Sequence, residues 1–109
     1  LEENEIIEAI SFSKPSKAKY AKFPNPASRY AMVGVFVAQF NDGVRVAVTG
    51  AGEDGVFRHA EMEAALSSNY NADALGTLEI SSDGLISDLH ASPDYRANLI
   101  KEMTKRAVG

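Results

Sequence analysis

The run from Ala31 to Phe40 limits this chain more than any other. Val33, Val35 and Val37 fall on one side of an extended backbone and Met32, Phe36 and Phe40 on the other, with Gln39 the one polar side chain. Successive strand residues point to opposite faces, so a run apolar on both predicts a strand covered on two sides, central in its sheet. Asn41, Asp42 and Gly43 then give a tight-turn signal before Val44, Val46 and Val48, the apolar face of a return strand. An antiparallel pair follows, and the remaining elements must be arranged around it.

Upstream, Glu5 to Phe12 places Ile6, Ile10 and Phe12 on one side at strand period and ends at Pro15, which predicts a first strand. From Ala18 to Phe23 the alternation is more polar. Ala18, Tyr20 and Lys22 share one face, and Lys17, Lys19, Ala21 and Phe23 share the other. Pro24, Asn25 and Pro26 predict a stiff loop, because each proline fixes its own φ and extends the residue before it.

Downstream the signals turn helical. Ala60 to Leu66 sets Met62, Ala65 and Leu66 on one face, and Asn71 is placed to cap a short helix carrying Leu75 and Leu78. The best helix starts at a Ser92 cap with Pro93 and Asp94 in its first turn. It buries Leu99, Ile100, Met103 and Ala107, and ends among Lys101, Lys105 and Arg106, which suit its carboxyl end. The expected fold class is α+β: an antiparallel sheet of three to four strands, followed by about three helices packed on one face.

A length of 109 residues fits one domain, 1–109. With no cysteine there is no disulfide framework, thiolate metal site or cysteine nucleophile, which fits a reducing compartment and a cytoplasmic location. The longest apolar stretch falls far short of the ~20 residues a membrane-spanning helix needs. Charge is segregated. Between Glu8 and Asp42 there is no acidic residue, yet Lys14, Lys17, Lys19, Lys22 and Arg29 lie there, so the rest of a chain of net charge −4 sums to −9. A local basic segment bearing Tyr20 and Tyr30 suits an anionic partner, or it is an edge strand blunted by lysines. The acidic balance elsewhere argues against nucleic acid, which demands a broad basic footprint.

Gly50 to Gly55 spells a Gly-x-Gly-x-x-Gly. The dinucleotide fingerprint needs a helix amino terminus at the third glycine, whereas Val56 and Phe57 look extended and Glu53 and Asp54 would face the phosphates. The segment is expected to be a turn using positive φ. His59 and His90 are the only histidines, and they sit at helix starts without ligand spacing, which favours capping or packing. No self-contained catalytic apparatus is legible, and the isolated domain is not expected to be catalytic.

Several blocks, in order, carry a resemblance: Tyr20-Ala-Lys22-Phe-Pro-Asn-Pro-Ala-Ser28-Arg29-Tyr30-Ala-Met-Val-Gly34, Ala47-Val-Thr-Gly-Ala-Gly52, Val56-Phe-Arg58, the Glu61 to Leu66 helix, and Asp88-Leu-His-Ala-Ser-Pro-Asp-Tyr95-Arg96. Together they resemble the carboxy-terminal domain of the FAD-binding medium subunit of molybdenum hydroxylases, closest to the aerobic carbon monoxide dehydrogenase type and more distantly to xanthine dehydrogenases. The resemblance implies a fragment of a longer FAD-binding subunit in a multi-subunit oxidoreductase. A large subunit would hold the molybdenum cofactor and choose the substrate, a small subunit would hold iron–sulfur clusters, and FAD would pass electrons to an acceptor.

In that family FAD is held mainly by the preceding domains, and the carboxy-terminal domain walls the isoalloxazine ring. The Tyr-x-Lys block lies close to the flavin there, which transfers to Tyr20 and Lys22, with Arg29 and Tyr30 ranked second. Shared strand parity supports the pairing of Tyr20 with Lys22 independently. Without the preceding domains the chain is not expected to retain FAD. The competing expectation is a free-standing interaction module that docks an acidic protein or small anion through its basic segment.

Overall fold

A computed structural model describes all of residues 1–109. Its sheet is a four-stranded antiparallel meander in the order β1 (Lys17–Pro24), β2 (Ala31–Phe40), β3 (Gly43–Thr49) and β4 (Phe57–Arg58). Helix α1 (Ala60–Ser68), a 3-10 turn at Ala72–Leu75 and helix α2 (Pro93–Val108) follow. The α+β class with an open antiparallel sheet is therefore present. The helix count is lower than expected, two helices and a single 3-10 turn. Asn71 does cap that turn, its Oδ1 accepting from the Asp73 N–H at 2.9 Å. Gly76 follows directly, and Leu78 lies beyond it, so the segment is too short to propagate a helix.

The β2–β3 hairpin closes through Asn41 and Asp42, with Phe40 opposite Gly43. Val33, Val35, Val37, Val44, Val46 and Val48 line one face and are at most 2% exposed. Both helices cover that face, α2 over β1 and β2, α1 over β3. Their contribution includes Met62, Leu66, Ile100 and Met103, all buried. Each such side chain removed from water contributes about 1.5–3 kcal/mol.

Helix α2 begins where the sequence placed it. Ser92 Oγ accepts from the Tyr95 N–H at 3.2 Å, and Pro93 occupies the first turn. Arg96 sits on its buried stripe at 3% exposure. Its Nη1 donates to the Met32 carbonyl at 2.7 Å, and its Nη2 donates to both Asp88 oxygens at 3.0 Å. One guanidinium thus ties the start of α2 to β2.

Helix α1 finishes the sheet at its β3 side. His59 caps it, Nδ1 accepting from the Met62 N–H at 3.4 Å. Beyond the short β4, outward amides of β3 find side chains of α1: the Val46 N–H donates to Glu63 Oε1 at 3.0 Å and the Val44 N–H to Ser67 Oγ at 2.9 Å. Glu63 and Ser67 are four residues apart and so share a helix face.

Two expectations fail. Glu5 to Phe12 forms no strand, and Ile6, Ile10 and Phe12 are 86%, 77% and 85% exposed. Periodicity reports which side chains share a face, but a strand exists only where a neighbour completes its ladder, and nothing within the chain does so. Nor is β2 covered on both faces. Its Met32 and Ala38 are buried, but Phe36 is 43% exposed, because both helices lie on the valine side.

Candidate functional site

The face opposite the helices is crossed by rows set by the strand register. One runs Tyr20–Phe36–Ala47–Arg58, a second Lys22–Gly34–Thr49, and a third Ala18–Ala38–Arg45. Aromatic rings therefore sit among small residues, with cations at opposite ends of the surface.

Tyr20 is fixed by what Gly34 lacks. A Cβ on Gly34 would land on the Tyr20 hydroxyl, 2.8 Å from its Cζ and 2.5 Å from Thr49 Oγ1. The phenol accordingly crosses β2 over a bare backbone position and ends 3.5 Å from Thr49 Oγ1. That separation is long for a hydroxyl pair, so steric seating rather than a strong hydrogen bond holds the ring. Thr49 Oγ1 itself donates to the Gly34 carbonyl at 3.4 Å. Lying across the sheet, the ring turns one face outward and is 46% exposed.

Lys22 lies on the same face, and its Nζ donates to the Arg29 carbonyl at 3.1 Å. The β1–β2 loop that presents this carbonyl is organised by Asn25. Its backbone N–H donates to the Tyr30 carbonyl at 2.7 Å, and its Oδ1 accepts from the Ala27 N–H at 3.0 Å. Arg29 adopts φ +64°, a left-handed conformation uncommon for a residue with a Cβ. Arg29 thus meets the Lys22 ammonium through its backbone. Tyr30 goes elsewhere. It is 81% exposed and lines a separate cleft of about 250 Å³ with Asn25, Asp88, His90 and Arg96. In that cleft the amides of Ala91 and His90, with help from Arg96, hold the Asp88 carboxyl below its ordinary range.

The Gly-rich segment forms a turn with positive φ at Gly50 and Gly55, and Gly52 bridges to Leu85. No helix begins at Gly55, so the phosphate cradle is not built. A larger cavity, about 660 Å³, opens between Ser13–Ser16 and the β2–β3 turn, where Lys14, Arg45 and Arg58 gather near Phe40. Two of these cations are already engaged, Arg45 with Asp42 at 3.0 Å and Arg58 with Glu63 at 2.6 Å. Arg58 and the Val46 amide hold the Glu63 carboxyl below its ordinary range, with the Arg58 hydrogen bond the larger cause.

Gly34, Phe36 and Thr49 were not among the residues singled out from sequence. A lone glycine inside a strand pattern was the available signal, since it marks a close approach. No family model matches the chain, and no curated protein or solved structure is detectably similar to it.

Proposed function

We propose that this chain is the carboxy-terminal domain of the FAD-binding medium subunit of a molybdenum hydroxylase of the carbon monoxide dehydrogenase type, and that its open sheet face walls the isoalloxazine ring. The observation that carries the reading is the seating of Tyr20 across Gly34, with Lys22 on the same face. These residues fit the group. A planar heterocycle needs a flat aromatic surface, which an outward-turned phenol supplies, and its charge on reduction favours a nearby cation.

FAD, held chiefly by the preceding domains, would supply the electron transfer between iron–sulfur clusters of the small subunit and an acceptor. The residues of this chain bind and tune. Tyr20 excludes water from one side of the ring, and Lys22 sets positive charge where negative charge accumulates, which raises the reduction potential. The Arg29 carbonyl orients the Lys22 ammonium. Phe36, 43% exposed beside Tyr20, extends the apolar surface.

The test is the full medium subunit assembled with its large and small partners, carrying Tyr20→Ala or Lys22→Met. Lys22→Met is expected to lower the flavin potential, and Tyr20→Ala to slow transfer to the acceptor. Unchanged potential and acceptor kinetics in both variants would refute the assignment.

A second reading, docking of an acidic protein or small anion, is favoured by the exposure of Lys14, Lys17, Lys19 and Lys22. It requires only accessible cations and predicts no effect of Tyr20→Ala on any flavin property.

A further inference from the structure

Two features of the molecule lack partners and match each other. Residues 1–12 form an arm outside the sheet, with Ile6, Ile7, Ile10 and Phe12 between 63% and 86% exposed. The arm carries Glu2, Glu3, Glu5 and Glu8 and no basic side chain. The other feature is the outer edge of β1, last in the sheet order, with no neighbouring strand on that side. An edge strand directs alternate N–H and C=O groups outward, a template for one more strand. This edge bears Lys17 and Lys19, both exposed; the Lys17 ammonium lies 5.2 Å from the centre of the Tyr70 ring, and Lys19 carries no ion pair. At the opposite side of the sheet, Glu63 and Ser67 cap outward amides of β3. No comparable cap covers β1.

The stretch Glu5–Phe12 has the same length as β1, 8 residues, and strand alternation with Ile6, Ile10 and Phe12 on one face. Its own copy does not use it. Leaving Ser16, the chain passes beside Phe40, Arg45 and Arg58, toward β4 and away from the outer edge of β1.

We propose that two copies exchange arms, Glu5–Phe12 of each adding as a fifth strand to the β1 edge of the other. The pairing gives the arm the ladder it lacks, brings its carboxylates to the lysines, and shelters its apolar face. A two-fold arrangement satisfies both edges at once and closes the assembly at a dimer. Tyr20 and Lys22 remain accessible, because the added strand occupies the edge and not the open face. In the flavin reading the preceding domains join ahead of Leu1, and the exchange then requires that they leave the arm free; the dimer is read by sedimentation, and the flavin reading by potential and acceptor kinetics.

Sedimentation velocity of the full chain at low ionic strength is expected to show a dimer whose dissociation constant rises about tenfold or more between about 0.05 and 0.5 M NaCl. Two charge-reversed variants make the decisive comparison. Glu5→Lys/Glu8→Lys sets a basic arm against a basic edge, and Lys17→Glu/Lys19→Glu sets an acidic arm against an acidic edge. Each alone is expected to be monomeric with an unchanged circular dichroism spectrum. Mixed, they are expected to form a heterodimer, since both of its arm–edge contacts are then complementary.

A chain that remains monomeric at about 100 µM in low salt overturns the proposal. So does a dimer that both reversed variants still form alone, or a monomer whose Glu5–Phe12 amides are protected from hydrogen exchange, which would mean closure on its own edge.

Discussion

Gly34 has a role in this molecule that no side chain can fill. Its bare Cα lets the Tyr20 ring lie across β2, and a Cβ there would clash with the phenol oxygen and lie 2.8 Å from Tyr20 Cζ. Gly34→Ala is therefore expected to lift the ring off the sheet. Overpacking of this kind costs about 1–3 kcal/mol, less here because the ring can swing into solvent. The urea midpoint should fall modestly, while the nuclear magnetic resonance shifts of the Tyr20 ring and of Thr49 move toward solvent-exposed values. Unmoved Tyr20 resonances in Gly34→Ala would refute the seat. Arg96 presents the opposite case, a charge on a buried helical stripe beside Leu99 and Ile100. Its Nη1 is the side-chain donor to the Met32 carbonyl, and a buried carbonyl left without a donor costs about 1–3 kcal/mol. Arg96→Met preserves much of the side-chain volume and should still destabilise by at least that amount in urea denaturation. A stability equal to that of the unsubstituted chain would show that the guanidinium does not clamp α2 to the sheet.

Carboxylates link the helices to the sheet, and this makes the joins sensitive to acid. The Arg58 hydrogen bond first, and the Val46 amide among the lesser causes, lower Glu63 from an ordinary value of 4.5. The Ala91 amide first, then His90 and Arg96, lower Asp88 from 3.8. A depressed carboxyl stabilises the fold above its unfolded-state value, and that stability is lost as pH falls through the folded value. Urea midpoints should hence stay level from neutral pH to about 5 and fall below about 4.5. Glu63→Gln keeps an acceptor for the Val46 amide but removes the charge, so its deficit at neutral pH should close in acid. A deficit constant across the range would refute the linkage. These joins also show what could be read from the sequence. The caps at His59, Asn71 and Ser92, the β2–β3 hairpin and the stripe of α2 depend on neighbours within a few residues, so local chemistry specifies them. Glu63 reaching β3, Arg96 reaching Met32 and Tyr20 lying on Gly34 depend on which elements become neighbours, which periodicity does not encode. The Glu5–Phe12 alternation predicts a strand for the same reason. The alternation is real, but no neighbour within this fold completes its ladder.

At the scale of the whole molecule, two helices on one side of a four-stranded sheet leave the other side uncovered. An antiparallel sheet tolerates one wet face when that face is polar. Here it holds Phe36 and Tyr20 at 43% and 46% exposure, flanked by Ala18, Ala47 and Gly34. Such a surface suits a flat apolar ligand, but it is one wall and not a pocket, and none of the main clefts includes Tyr20 or Lys22. Most of a ligand's surface must be enclosed for tight binding. The chain alone is therefore expected to purify colourless, and to bind added flavin mononucleotide with a dissociation constant near the millimolar range, about −4 kcal/mol. Titration followed by amide shifts should locate that weak contact at Tyr20, Lys22, Gly34 and Thr49, with Lys22→Met weakening it more for the reduced than for the oxidised flavin. Stoichiometric FAD in the purified chain would show that the site is complete without other domains. Shifts confined to Tyr30, His90 and Arg96 would move the ligand to the smaller cleft. The first result would contradict a single wall, because a wall contributes little until a second surface closes over the ring; the second would remove the open face from the account, because a cation acts on the flavin only from beside it.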